Sequence, residues 1–175
     1  MILPAHPFQT WLTHNLLSNT LRGHLAEYIV GLAVGADLRH GRHEWDNFDV
    51  VTPSGKTLEV KSSAYHQQWH SGAPSRISFG IAQKSLYSEE AQAWGKTKGR
   101  WADGYVFAVL GTPDGARPNP LDTDAWDFYV VPTPVLDAAV GERKGLSLGA
   151  LKGFSESCSY EALAERVSAL LMAGG

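Results

Sequence analysis

The sequence predicts a mixed α/β fold in which helices flank a mixed β-sheet, with the element order α-β-β-β-α-β-β-α. Helical periodicity occurs near both ends of the chain, and alternating or continuously apolar runs of strand length lie between them. A length of 175 residues fits one domain, 1–175, which can bury a core without disulfides. We find no internal repeat and no linker long enough to separate domains.

The first predicted helix spans about residues 21–34, with an N-cap among residues 18–20 and Gly35 at its end. Glu27 lies on this helix between two glycines spaced four residues to either side. Glycine weakens a helix, so this spacing suggests close approach by another backbone or a ligand. The alternative is ordinary packing through small residues, with Glu27 solvated. The predicted buried stripe is Leu21, Leu25, Ile29 and Leu32.

A β-hairpin is predicted next, from strands at about 47–52 and 57–63 joined by a Pro-Ser-Gly turn. Folding the segment about this turn places Asp49 opposite Glu59, with Lys61 on the same face as Glu59 because side chains alternate. Two carboxylates and an ammonium group therefore share one face. The opposite face is apolar and consists of Phe48, Val50, Leu58 and Val60.

The remaining predicted elements are a strand at 76–81, a helix at 84–94, strands at 105–110 and 126–131, and a final helix at 159–172. Strict alternation in 76–81 points Ile77, Phe79 and Ile81 inward. The continuously apolar run at 105–110 is typical of a strand covered on both faces.

Asp49 and Glu59 supply hard oxygen ligands, which suit a hard divalent cation. Mg²⁺ is usually bound by one or two carboxylates together with waters and substrate phosphate oxygens. A lysine in the position of Lys61 can orient an attacking water, help its deprotonation, or neutralise charge on a reacting phosphate. The hairpin therefore indicates phosphodiester chemistry.

These residues resemble the PD-(D/E)XK nuclease superfamily, which has the restriction-endonuclease-like fold. The resemblance rests on Asp49, the run Glu59-Val60-Lys61 ten residues later, and a preceding helix that bears Glu27. It covers roughly half the chain and implies Mg²⁺-dependent cleavage of DNA, with Mn²⁺ as a substitute. It further implies metal ligation by Asp49, Glu59 and Glu27, and a catalytic role for Lys61. Many members dimerise, so a homodimer is one expectation.

The sequence departs from the family motif at Phe48, where the motif's name has proline. Asp46 is a competing first acid, but it differs in parity from Asp49 and would point toward the core face. The structural alternative for the whole motif is a surface salt bridge between Glu59 and Lys61, a kind of pair that contributes little to stability.

Several side chains downstream of the hairpin are candidates for DNA binding. Tryptophans flank three basic residues in the stretch 94–101, which could bind phosphates and stack on bases, although the tryptophans could instead lie in the core. The start of the helix predicted at 84 could also bind a phosphate. The predicted DNA-binding residues are Arg76, Gln83, Lys84, Lys96, Lys98 and Arg100.

Other site classes have weaker support. The seven histidines lack the cysteine pairs of common zinc sites, and Cys158 lies in a Ser-rich stretch without a nearby histidine. A single cysteine fits the reducing cytoplasm, and we expect a soluble cytoplasmic protein with no membrane partner. The net charge of −3 requires any contact with nucleic acid to come from a local patch.

The leading hypothesis is therefore a Mg²⁺-dependent deoxyribonuclease acting in restriction, repair or defence. The alternative is a catalytically inactive nucleic-acid-binding or assembly subunit with the same fold. A nuclease acting on RNA or on branched or single-stranded DNA would share the chemistry and differ in its substrate.

Overall fold

The computed structural model describes residues 5–39, 48–68, 72–88 and 93–172. Within them the chain forms a mixed β-sheet flanked by helices. The helices are α1 (Ala5–Leu12), α2 (Asn19–Val34), α3 (Thr133–Val140), α4 (Leu148–Leu151) and α5 (Tyr160–Met172). The strands are β1 (Val50–Val51), β2 (Thr57–Ala64), β3 (Ser78–Gly80), β4 (Lys84–Ser88), β5 (Ala93–Gly99), β6 (Gly104–Leu110), β7 (Trp126–Pro132), β8 (Gly145–Ser147) and β9 (Ser157–Cys158).

The central sheet has five strands in the order β1-β2-β6-β7-β9. Strands β2 and β6 are parallel, and the other neighbours pair antiparallel. Every residue of β6 is buried, as its continuously apolar sequence predicts for a strand covered on both faces. Among the helices described, none combines the length and apolar character needed to cross a membrane.

Helices α2 and α5 cover one face of this sheet. Helix α2 begins after Ser18, whose hydroxyl accepts a hydrogen bond from the Leu21 amide, and it ends at Gly35, which has a φ of 71°. The predicted helix and its caps are therefore confirmed. The predicted stripe is wrong at Leu32, which is exposed, because the helix turns Ala26, Ile29 and Val30 toward the sheet instead.

The opposite face is covered by α3, α4 and a two-stranded sheet formed by β3 and β8. Ile77, Phe79 and Ile81 are buried in this layer, as predicted, and the Phe79 ring meets Phe107 of β6 at 4.9 Å. The strand predicted at 76–81 does not extend the 47–63 hairpin, however. It pairs with β8, which lies far along the chain and was not predicted.

The helix predicted at 84–94 is wrong, because the described residues of this segment form β4 and the start of β5. The two strands pair antiparallel as a separate two-stranded sheet, which we call the ribbon. An edge-to-face contact between Tyr87 and Trp94, with ring centroids 5.3 Å apart, joins the strands. Cross-strand aromatic pairs stabilise hairpins, and this pairing outweighs the local helical preference of the segment.

Arg100, which follows the ribbon, is buried and is not accessible to DNA, contrary to the sequence-based prediction. Its guanidinium donates to the carbonyl oxygens of Ile81, Gly141 and Arg143 at 2.9, 3.0 and 3.1 Å, and to the carboxylate of Asp137. A buried cation requires such partners. Arg100 therefore ties the end of β5 to the residue that follows β3 and to the end of α3.

We expect Arg100→Met to lower the free energy of unfolding by about 3 kcal/mol, because three carbonyl groups, among them the buried one of Ile81, lose their donor. Asp137→Asn should cost less, about 1 kcal/mol, because the Asp137 side chain is 45% exposed. Urea denaturation of both variants beside the wild type measures these losses. Equal losses would contradict this ranking.

Candidate functional site

The hairpin brings the predicted acids and lysine to one place. Strand β1 pairs with β2 in the register Val50 to Leu58, and extending that register by one residue sets Asp49 opposite Glu59, as predicted. The Asp49 carboxylate accepts a hydrogen bond from the amide of Val60 at 2.7 Å. Asp49 is therefore fixed against the strand segment that carries Glu59 and Lys61.

Glu59 is the centre of a small charged cluster on β2. Its side chain is only 5% exposed, and one carboxylate oxygen, Oε1, accepts hydrogen bonds from two ammonium groups. Lys61 donates from two residues along the strand at 2.5 Å, and Lys84 donates from the first residue of β4 at 2.6 Å. The sequence predicted the proximity of Lys61 through strand alternation, but it gave no sign that Lys84 meets Glu59.

The charge of Glu59 depends on these two lysines. Burial alone would raise the pKa of the carboxyl group, but the charges and hydrogen bonds of Lys61 and Lys84 outweigh burial and hold that pKa below its ordinary value. Lys61 is 25% exposed and Lys84 is 60% exposed, so the cluster opens toward solvent on its cationic side. An ionised carboxylate can bind a metal ion, and accessible cations beside it can contact a phosphate.

Tyr105 is a neighbour that the sequence analysis did not single out. It lies directly beside Glu59 in the parallel pairing of β2 with β6, and it is buried. Burial, followed by the charge of Glu59, raises the pKa of its hydroxyl above the ordinary range, and Asp49 adds to this effect. The negative charges of Glu59 and Asp49 therefore disfavour ionisation of Tyr105, which stays protonated. Its position inside a continuously apolar strand explains why periodicity alone did not mark it.

The carboxylates that the structure brings together at the hairpin are those of Asp49 and Glu59. Across the described parts of the chain, no group of three or more His, Cys, Asp or Glu side chains could hold a metal ion, so Glu27 does not complete a three-carboxylate cluster. Glu27 is half-buried on α2, whose buried residues pack on the face of β2 opposite Glu59. Two carboxylates still fit Mg²⁺, which keeps several waters. A role for Glu27 through water stays a prediction.

The predicted DNA-binding residues have different positions. Arg76 is exposed before β3, Gln83 is half-buried before β4, and Lys96 and Lys98 are exposed on β5. Gln83 and Lys84 do not begin a helix, so the phosphate site predicted at a helix N-terminus is wrong.

The other candidate chemistries gain no support. His40, His43, His70 and Asp46 lie outside the described residues. Burial raises the pKa of the Cys158 thiol, which is opposite to what a nucleophilic cysteine requires.

The pKa of Glu59 predicts a pH-dependent contribution to stability. Because the folded-state pKa is lowered, the contribution is complete above the ordinary value of 4.5 and is lost as the pH falls through the folded value. We expect Glu59→Gln to reduce the free energy of unfolding by about 1–2 kcal/mol at pH 7, with the difference from wild type shrinking below pH 4.5. Urea denaturation across this pH range measures the effect. Glu165→Gln, at an exposed position on α5, is the control, and a difference that grows in acid would contradict the assignment.

A model of a known protein family matches part of the chain. The family model of bacteriophage T4 endonuclease IV matches residues 9–84, which is less than half of the chain. The matched segment contains α2, the hairpin with Asp49, Glu59 and Lys61, and Lys84. No curated protein matches the chain. The match supports a nuclease.

Proposed function

We propose that this protein is a Mg²⁺-dependent endonuclease that hydrolyses phosphodiester bonds in DNA. The observation that carries the proposal is the convergence of Asp49, Glu59 and Lys61 on one face of the hairpin. This hairpin lies inside the segment that matches the bacteriophage endonuclease family, which supports DNA as the substrate. The resemblance to PD-(D/E)XK nucleases rests on the same residues.

In this proposal, each residue has a distinct task. Asp49 and Glu59 would hold Mg²⁺ through their carboxylate oxygens. When bound, Mg²⁺ would neutralise charge on the phosphate and make an attacking water more acidic. Lys61, already within hydrogen-bonding distance of Glu59, would orient that water and stabilise the charge that develops on the phosphate. Val60 lies between the two and packs in the core, which keeps Glu59 and Lys61 in register.

A non-catalytic DNA-binding or assembly subunit is the second candidate, and one observation favours it. Both lysines already donate to the same oxygen of Glu59, so their positive charges compensate the ionised carboxylate without a metal. A purely structural ion pair would have this arrangement. The two candidates differ in one measurable property, which is cleavage that requires a divalent cation.

We expect the wild type to cleave DNA in Mg²⁺ or Mn²⁺ and not in EDTA, and Lys61→Ala to reduce the cleavage rate by at least about 100-fold. Binding of DNA should remain largely intact, because Lys61 is partly buried and occupied by Glu59. A panel of plasmid, linear, single-stranded and branched DNA, together with RNA, measures both the rate and the substrate. Restriction, repair and defence are pathways that this panel would begin to separate.

Lys152→Ala is the matched control, since Lys152 is exposed after α4 and lies outside the cluster. Its cleavage rate should equal that of the wild type. Cleavage that persists both in EDTA and in Lys61→Ala would refute the proposed mechanism. DNA binding without any divalent-dependent cleavage would instead identify the non-catalytic subunit.

The cluster also predicts how variants change metal affinity. A cation that binds Glu59 must compete with the two ammonium groups, so Lys84→Met should tighten Mn²⁺ binding by about fivefold. Asp49→Asn should weaken binding, because it removes one of two ionised ligands. Isothermal titration calorimetry with Mn²⁺ in the absence of DNA measures both. Weaker binding in Lys84→Met would show that the cation does not bind at Glu59.

A further inference from the structure

We propose that the ribbon, formed by β4 and β5, is the surface that holds the DNA substrate beside Glu59. This inference rests on the proposed function and deepens it by assigning the binding element. The occupant is DNA, with phosphates contacting Lys96 and Lys98 and a base contacting the ring of Trp94.

The ribbon presents an extended surface outside the central sheet. Within the described residues, its strands pair only with each other, and every residue of β5 from Ala93 to Lys98 is exposed. The side chain of Trp94 is among the most exposed large apolar groups described, at 59%. A two-stranded ribbon of this kind has the dimensions that fit a DNA groove.

The base of the ribbon is rigidly attached next to the carboxylate cluster. The indole N–H of Trp101 donates to the carbonyl oxygen of Lys84 at 2.7 Å, and Arg100 donates to that of Ile81 at 2.9 Å. These bonds join the chain after β5 to the chain at and just before the start of β4, at the base of the ribbon. Lys84 itself contacts Glu59. A DNA segment lying along the ribbon would therefore lie beside the hairpin.

One face of the ribbon combines aromatic and cationic side chains. Ser85 pairs with Lys98, and Tyr87 pairs with Trp94. Because Ser85 and Tyr87 are two residues apart on β4, both pairs share one face. Lys84 lies on the opposite face, toward Glu59. The register shift between the two pairs falls around Lys96, which is also exposed. An aromatic pair beside lysines suits bases and phosphates.

Charge complementarity selects DNA over a protein partner. Lys96 and Lys98 are exposed on the ribbon, whose described residues include no acidic side chain, in a chain whose net charge is −3. A local basic surface of this kind attracts a polyanion although the whole molecule would not. The acidic residues Glu89 and Glu90, in the segment that connects the strands, lie outside the described residues.

The test measures DNA affinity as a function of salt, by fluorescence anisotropy in EDTA, with the full chain. The double variant Lys96→Ala/Lys98→Ala should reduce the slope of log affinity against log salt by about 1.4 to 1.8, since two phosphate contacts are lost. Trp94→Ala should weaken binding by about 5- to 100-fold and leave the slope unchanged, because stacking carries no charge. Circular dichroism confirms that each variant folds.

The double variant Arg117→Ala/Lys152→Ala is the control, since both residues are exposed and neither belongs to the ribbon or the carboxylate cluster. Wild-type slope and affinity in the lysine and Trp94 variants, or no DNA binding by the wild type, would overturn the ribbon proposal. Loss of binding in these variants of a protein that never cleaves DNA would support the ribbon and refute the nuclease. Cleavage with an unchanged KM in all ribbon variants would support the nuclease and refute the ribbon proposal.

Discussion

The parallel pairing of β2 with β6 is the constraint on which the rest of the structure depends. Parallel strands cannot be joined by a tight turn, so the connection, residues 65–103, must cross the sheet. It crosses the face on which Glu59 and Tyr105 lie side by side, and it fills that layer with Ile77, Phe79 and Ile81. The same crossing delivers Lys84 to Glu59 and leaves the ribbon outside the core. The cluster and the ribbon are therefore two consequences of one strand pairing.

The position of Glu59 imposes an electrostatic cost that the surrounding lysines offset. A carboxylate that is almost fully buried would be expensive to ionise in isolation. Two ammonium groups at one oxygen reverse this cost and favour the charged form. Stability alone does not require such an arrangement, since buried ion pairs can often be replaced by apolar residues without loss. A carboxylate kept ionised beside two cations, one of them 60% exposed, is therefore available for binding as well as for packing.

The sequence predicted those parts of the fold that are set by local periodicity. Helix α2 with its Ser18 and Gly35 caps, the hairpin with Asp49 opposite Glu59, and the buried strand β6 follow from alternation and capping. Errors arose where cross-strand pairing overrides a helical preference and where a partner is distant in sequence. The ribbon depends on cross-strand pairing that competes with helical preference, Arg100 is buried because Asp137 and three carbonyl groups surround it, and Lys84 reaches Glu59 across 25 residues. Such contacts come from topology, which no local pattern encodes.

The family match covers the hairpin but little of the ribbon. The matched segment, residues 9–84, includes the hairpin and ends at Lys84, which is the first residue of the ribbon. The rest of the ribbon and its anchor Arg100 lie beyond it. Groups that act on a phosphate need a fixed geometry, whereas a surface that holds DNA needs only charge and aromatic area at the right distance. A chain can therefore retain the hairpin and Lys84 while the ribbon differs, provided that the base of the ribbon remains joined to the sheet. In this protein Arg100 and Trp101 make that joint through their hydrogen bonds to Ile81 and Lys84, so under the proposed DNA-binding role the ribbon could vary without displacing Glu59.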